Sequence, residues 1–221
     1  MMENSGNISF KQFREKDMAG CARIVRKSWP FISKILDPAG QLQLVELIEL
    51  YVELTAHASS WLEVARDAGE SIGFLFALIK RDFTPLHFLY FLNNYQKFII
   101  TIKEEMLSKN EHARMFLKKF LESEQNVRQH APKSDAVVEL FAVDPHYRRR
   151  GVGTRLMDDF IEFARSRGVK RIMVYTDERS TYRFYEAAGF SLQAEFPDCF
   201  YKTLLGKPTR GFIYLLKLKK K

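Results

Sequence analysis

Cysteine is scarce: among 221 residues only Cys21 and Cys199 carry thiols. They lie far apart, with no CxxC and no His/Cys ligand spacing, which excludes a disulfide scaffold and argues against a zinc site. Reduced thiols packed as small apolar groups are the simpler expectation. Long apolar runs are also lacking. A bilayer-spanning helix needs roughly 20 apolar residues in succession, and "FIITI" and "AVVELFAV" fall far short. The opening "MMENSGN" lacks the basic-then-apolar order of a secretory leader, so a cytoplasmic protein with no membrane partner is expected. There is no repeat or low-complexity segment, and the final "KLKKK" reads as a solvated end.

Apolar residues make up 46% of the chain, enough to bury one large core, so residues 1–221 are expected to form a single domain. Lys and Arg outnumber Asp and Glu 35 to 27, a formal charge of +8. That balance favours anionic company, meaning a phosphorylated cofactor, a nucleic acid or an acidic surface, without choosing among them.

Periodicity then organises the chain. "NISFKQF" (7–13) alternates as a strand, and Met18, Cys21, Ile24, Val25 and Trp29 recur at helical spacing behind Asp17. Leu44, Leu47, Ile48, Tyr51 and Leu54 mark a second helix. "WLEVAR" and "SIGFLFALIK" flank Asp67-Ala68-Gly69-Glu70, a turn of hairpin length. Residues 82–134 break this alternation with an aromatic, then charged, largely helical stretch, read as an insertion between the third and fourth strands. "AVVELFAV" and "RIMVYTD" follow as buried strands separated by the helix "TRLMDDFIEFARSRG", which implies parallel pairing with a crossover. A helix in "STYRFYEAAGF", ending at Gly189, leads to two final strands, "SLQAEF" and "GFIYLLKL". The fold class is therefore mixed α/β.

One turn carries chemistry. In "AVDPHYRRRGVGTRLM" a buried strand ends at Val143, turns through Asp144-Pro145 and restarts as a helix near Gly151. The first N–H groups of that helix have no partner inside it and so attract anions. Gly151 and Gly153 keep side chains out of the way, while Arg148, Arg149 and Arg150 add formal charge in a geometry that suits phosphate. A pyrophosphate fits such a turn. It is no Walker A loop, since no Gly-Lys-Ser/Thr follows, and the spacing is not the GxGxxG of a dinucleotide fold.

With this turn, the strand before it and the later "STYRFYEAAGF", residues 136–190 resemble the GNAT family of N-acetyltransferases, about a quarter of the chain carrying the specific likeness. The resemblance implies an acyl-CoA N-acyltransferase fold. It implies acetyl-CoA as co-substrate, no metal, and acetyl transfer to a primary amine, most simply on a small molecule. It further implies that the backbone of Arg149, Arg150, Gly151, Val152, Gly153 and Thr154 holds the pyrophosphate, with Arg148 in the family's Gln/Arg position. Phe141, Ala142 and Val143 would pair with the pantetheine arm, a main-chain N–H near Val143 would polarise the thioester, and Tyr185 would protonate the leaving thiolate. Substrates would meet where the fourth and fifth strands splay apart. Glu178 stands where many members have an asparagine, so that contact is not carried over.

Glu139 falls on the face of Phe141 and Val143 by strand alternation, which would make it a base; a carboxylate that reaches solvent or an arginine is the equal alternative. Tyr182 reads as a packing residue, and the five histidines show no pairing by spacing. An acyl-CoA sensor or scaffold without catalysis, and acetylation of a peptide or protein amine, are the rival functions. Nucleic-acid binding is disfavoured because the basic residues lack interleaved aromatics. A homodimer through the aromatic run at 83–95 stays open.

Overall fold

The computed structural model describes residues 8–29, 40–85, 89, 92–93, 95–96, 100, 122–123, 125–198, 206 and 209–219. The chain begins with β1 (Ser9–Gln12), α1 (Met18–Ser28), α2 (Gly40–Ala58), β2 (Trp61–Asp67) and β3 (Glu70–Ile79). It continues with β4 (Ala136–Val143), α3 (Val152–Ser166), β5 (Arg171–Asp177), α4 (Arg183–Ala187), β6 (Ser191–Asp198) and β7 (Thr209–Lys217). The strands form one mixed sheet in the order β1-β2-β3-β4-β5-β7-β6.

The β2–β3 hairpin closes through Ala68 and Gly69, both at positive φ (48° and 87°), the geometry that matches the twist of paired strands. β4 and β5 are parallel, as the intervening helix requires. The last two strands form an antiparallel pair, and β7 inserts between β5 and β6, so the final strand is internal and the penultimate one forms the edge.

Two layers cover the sheet. On one face α3 buries Val152, Leu156, Met157, Phe160 and Ala164, spaced at helical intervals, against Leu75, Ala77 and Val138 of β3 and β4. On the other, Cys21, Ile24 and Val25 of α1 and Ile48 and Val52 of α2 pack on Phe74, Phe76 and Leu140. A buried ion pair between Asp17 and Arg66 ties the start of α1 to β2. Cys21 is a free, fully buried thiol, as expected; Cys199 lies outside the described residues. Most of the expected insertion at 82–134 also lies outside them, and those described between 85 and 130 are helical. Among the described residues no helix is long and apolar enough to cross a membrane, and no group of three or more His, Cys, Asp or Glu is arranged to hold a metal ion.

Candidate functional site

The turn after β4 is held from three sides. Asp144, 3% exposed, caps the short helical turn Pro145–Tyr147 by accepting the His146 N–H at 3.1 Å, and it receives the Lys27 ammonium at 2.8 Å from the end of α1. Burial opposes charge on Asp144, but Lys27 and the His146 amide outweigh it and hold the carboxyl below its ordinary value. Tyr147 donates its hydroxyl to Asp67 Oδ2 at 2.9 Å, anchoring the turn to the hairpin, and the Arg150 guanidinium lies 5.3 Å over its ring. Arg148 folds back: its Nε donates to Val143 O and its Nη2 to Ser28 Oγ, each at 3.2 Å.

This anchoring presents the start of α3. Gly151 precedes the helix at φ 79°, a left-handed conformation that strains residues with a Cβ, and no side chain caps the helix. The first closing bond is Arg155 N–H to Gly151 O at 3.0 Å, so the amides of Val152, Gly153 and Thr154 have no acceptor within the helix. Gly153 sits against β4 and α4: a Cβ there would lie 3.2 Å from the Phe141 ring and 3.7 Å from the Phe184 ring. Arg149 and Arg150 are exposed beside these amides. The arrangement is a positively charged cradle whose unpaired amides could receive an anion.

Next to it the sheet opens. β4 pairs with β5 only through Ala136–Val138 and Ile172–Val174, whereas β5 stays paired with β7 from Arg171 to Asp177 and β4 with β3 up to Val143. Past Val138 the edge of Leu140, Phe141, Ala142 and Val143 therefore pairs with no strand among the described residues. Phe141 and Phe184 meet near the cradle, their ring centroids 5.4 Å apart.

The register corrects the expectation for Glu139. Phe76 pairs with Leu140 and Ala77 with Val138, so β4 bulges and Glu139 is the residue the register passes over. Val138, Phe141 and Val143 pack on the α3 side, Leu140 and Ala142 on the α1/α2 side. Strict alternation fails at the bulge, where two residues stand opposite Phe76 and share its side. Glu139 thus belongs with Leu140 on the α1/α2 face and not with Phe141 and Val143.

Tyr185 is 9% exposed in α4, and its ring meets Phe184, Phe190 and Tyr214 with centroids 5.5, 5.8 and 6.1 Å away. The hydroxyls of Tyr214, Tyr175 and Tyr147 donate to Glu186, Asp198 and Asp67, but no such bond ties down Tyr185 among the described residues. An exposed phenol has a pKa near 10. Burial, and then the charge of Asp177, instead push it well above that value, so it stays protonated throughout the working pH range. Tyr182 packs on Phe212 at 4.9 Å, in keeping with its expected role. Glu178 accepts a hydrogen bond from Arg210 Nε at 2.9 Å, a tie between β5 and β7.

Sequence reasoning missed Lys27, Asp67 and the capping role of Asp144. Asp-Pro after a strand is a usable sign for the last, since proline suits the first position of a helical turn. The other two are brought in by long-range pairing and left no local sign. It also missed Glu63, 8% exposed beneath α3, whose Oε2 has no hydrogen-bond partner among the described residues; Trp61 Nε1, on the same face of β2, has none among them either. Burial, and then the Asp159 carboxylate, push Glu63 up to about 7 against the pull of Arg155.

Comparison with known proteins places this geometry. Residues 110–190 match the model of the acetyltransferase (GNAT) family. An uncharacterized protein of Mycobacterium leprae is 41% identical over 61 residues, 28% of this chain and 17% of that one. The N-alpha-acetyltransferase RimI of Mycobacterium tuberculosis is 37% identical over 59 residues, 27% of this chain and 37% of that one. The chain thus spans well under half the length of these two curated relatives. Among solved structures, an N-acetyltransferase from Staphylococcus aureus superposes over 96% of this chain and 99% of its own with a TM-score of 0.52 at 13% identity, a likeness of fold. Residues 110–190 are thus similar to the GNAT family of acetyltransferases, and the mixed seven-stranded sheet is alike in fold to the staphylococcal N-acetyltransferase.

Proposed function

We propose that the protein, as one catalytic domain, transfers the acetyl group of acetyl-CoA to a primary amine by direct attack, with both substrates bound together. The observation that carries this reading is the adjacency of an uncapped helix start at Gly151–Thr154 and an unpaired strand edge at Leu140–Val143. The first suits a diphosphate, the second an extended amide-bearing arm that adds to the sheet like a strand.

In this scheme the amides of Val152, Gly153 and Thr154, aided by Arg148, Arg149 and Arg150, hold the pyrophosphate. The backbone of Phe141, Ala142 and Val143 aligns the pantetheine arm, and a main-chain N–H near Val143 faces the thioester oxygen. Glu139 takes one proton from the acceptor's ammonium, directly or through water. The freed nitrogen attacks the carbonyl carbon, and the oxyanion that forms draws on the main-chain donor. The C–S bond then breaks, Tyr185 gives its proton to the sulfur, and the remaining excess proton on nitrogen leaves to solvent, from which the phenol is restored. No covalent enzyme intermediate is needed; positioning supplies much of the acceleration. Glu139 reaches this role from the face opposite α3, so acceptor and coenzyme approach from the two sides of the sheet. The acceptor is read as a small molecule. The stretch shared with the mycobacterial N-alpha-acetyltransferase favours a protein α-amine as the second reading.

The test is thermal unfolding with and without acetyl-CoA, followed by thiol release with added amines. At about a hundredfold excess over Kd the melting temperature should rise roughly 5–10 °C. Arg148→Glu should weaken binding about a hundredfold and abolish most of that rise. An equal rise in wild type and variant contradicts the pyrophosphate assignment, and binding without thiol release from any amine points to a sensor.

A further inference from the structure

The buried acid beneath α3 belongs to a cluster of charges that adjoins the cradle. β2 runs against α3 in the opposite direction: Trp61, its first residue, stacks on Phe163 near the helix end with centroids 4.5 Å apart, and Asp67, its last, holds Tyr147 in the turn before the cradle. Glu63 lies between them, and the charges that act on it are Asp159 and Arg155 of α3. Arg155 follows Thr154 directly, so the cluster borders the first turn of the helix. Gln12 of β1 and Leu75 of β3, opposite Glu63 in the register, carry no charge, and Glu162, farther along α3, acts on Arg155.

One proton sets the charge of this cluster. Arg155 Nε donates to Asp159 Oδ2 at 2.7 Å, and those two charges cancel. A neutral Glu63 leaves the balance at zero; an ionised one makes it negative. With Oε2 buried and unpartnered among the described residues, ionisation is costly at this position. Where α3 starts it packs on the sheet through Val152 and Leu156, both buried, so little water screens a charge set beneath it. The same helix start offers the amides of Val152, Gly153 and Thr154 to an anion.

Resting on the cradle as the coenzyme site, we propose that Glu63 is a proton-binding site coupled to the diphosphate, so that coenzyme binds more tightly to the form in which Glu63 is protonated. Where Glu63 is ionised, the arriving diphosphate draws a proton from solvent onto its carboxylate, and by reciprocity that proton tightens the coenzyme. Glu63 touches neither reactant and acts through the charge beneath α3 alone. Acetyl transfer gains from alkaline pH because the amine loses its proton, while coenzyme affinity falls over the same range. The two dependences oppose each other, and the KM for acetyl-CoA rises with pH.

The experiment is calorimetric titration of wild type and Glu63→Gln with coenzyme A from pH 5.5 to 8.5. The coenzyme's phosphates and His146 titrate in both proteins, so the ratio of the two dissociation constants isolates Glu63. The constants should agree within twofold at pH 5.5, and the wild-type value should be about three- to tenfold larger at pH 8.5, the difference opening from about pH 7 upward. A second readout leaves Glu63 in place. In Trp29→Phe, emission from Trp61 should titrate with a midpoint near pH 7; saturating coenzyme A should move that midpoint up, and adding Asp159→Asn, which removes the neighbouring negative charge, should move it down. Equal dissociation constants at every pH, or a Trp61 midpoint that coenzyme A leaves in place, overturns the inference while leaving coenzyme binding intact. Failure of wild type to bind coenzyme A at any pH overturns the cradle assignment itself, and this inference with it.

Discussion

The turn that follows β4 and the sheet face behind it, a few residues away, are built from opposite charges. The turn gathers Arg148, Arg149 and Arg150 around uncapped amides, while the sheet carries Glu139 on β4 and, farther along, the Tyr175–Asp198 pair that ties β5 to β6. A single net charge of +8 conceals this division. The basic turn adjoins the break in β4–β5 pairing, and the acidic groups lie on the sheet beyond it. The local fields, rather than the overall balance, therefore bear on which acceptor is taken.

The largest expected effect removes the group that would serve both sides at once. Tyr185→Phe should lower kcat by about 10²- to 10⁴-fold and leave the acetyl-CoA-induced rise in melting temperature unchanged; equal turnover in the two proteins would remove the proton-donor role and leave the contrast one of binding alone. A smaller effect tests Glu63, a buried acid beneath α3. Glu63 lies beneath α3 and keeps its proton up to about pH 7, against 4.5 for a free carboxyl, so it adds no negative charge near the turn in acid solution. Because the folded value is raised, its contribution to stability is complete below pH 4.5 and is lost as pH climbs through 7. Glu63→Gln should therefore be more stable than wild type at pH 8 by about 3 kcal/mol and nearly equal to it at pH 4.5, as measured by urea unfolding. A difference that does not change with pH contradicts the buried, neutral state.

How much of this was legible beforehand depended on distance along the chain. The strand "AVVELFAV", the turn after it and the helix that follows are local patterns, and residues 136–168 fold as their periodicity implies. The hairpin at Ala68-Gly69 was legible for the same reason. The bulge at Glu139 was not, because it is created by how β4 registers against Phe76 and Ala77, and counting alternate residues within β4 cannot reveal it. Lys27 and Asp144 are 117 residues apart, and nothing near either one announces the other. Tyr175 and Asp198 lie on strands separated by β7, whose insertion between β5 and β6 is a choice of partner that short-range patterning leaves undetermined. The basic turn of the candidate site was thus apparent in sequence, whereas the pairings across the sheet needed its assembly.

The most direct test of the account is a crystal structure of the protein grown with coenzyme A. The expected result is a diphosphate within hydrogen-bonding distance of the Val152, Gly153 and Thr154 amides, its pantetheine arm lying along Phe141–Val143 and its thiol near Tyr185. A coenzyme bound elsewhere, or a diphosphate held by side chains with those amides left to solvent, contradicts it.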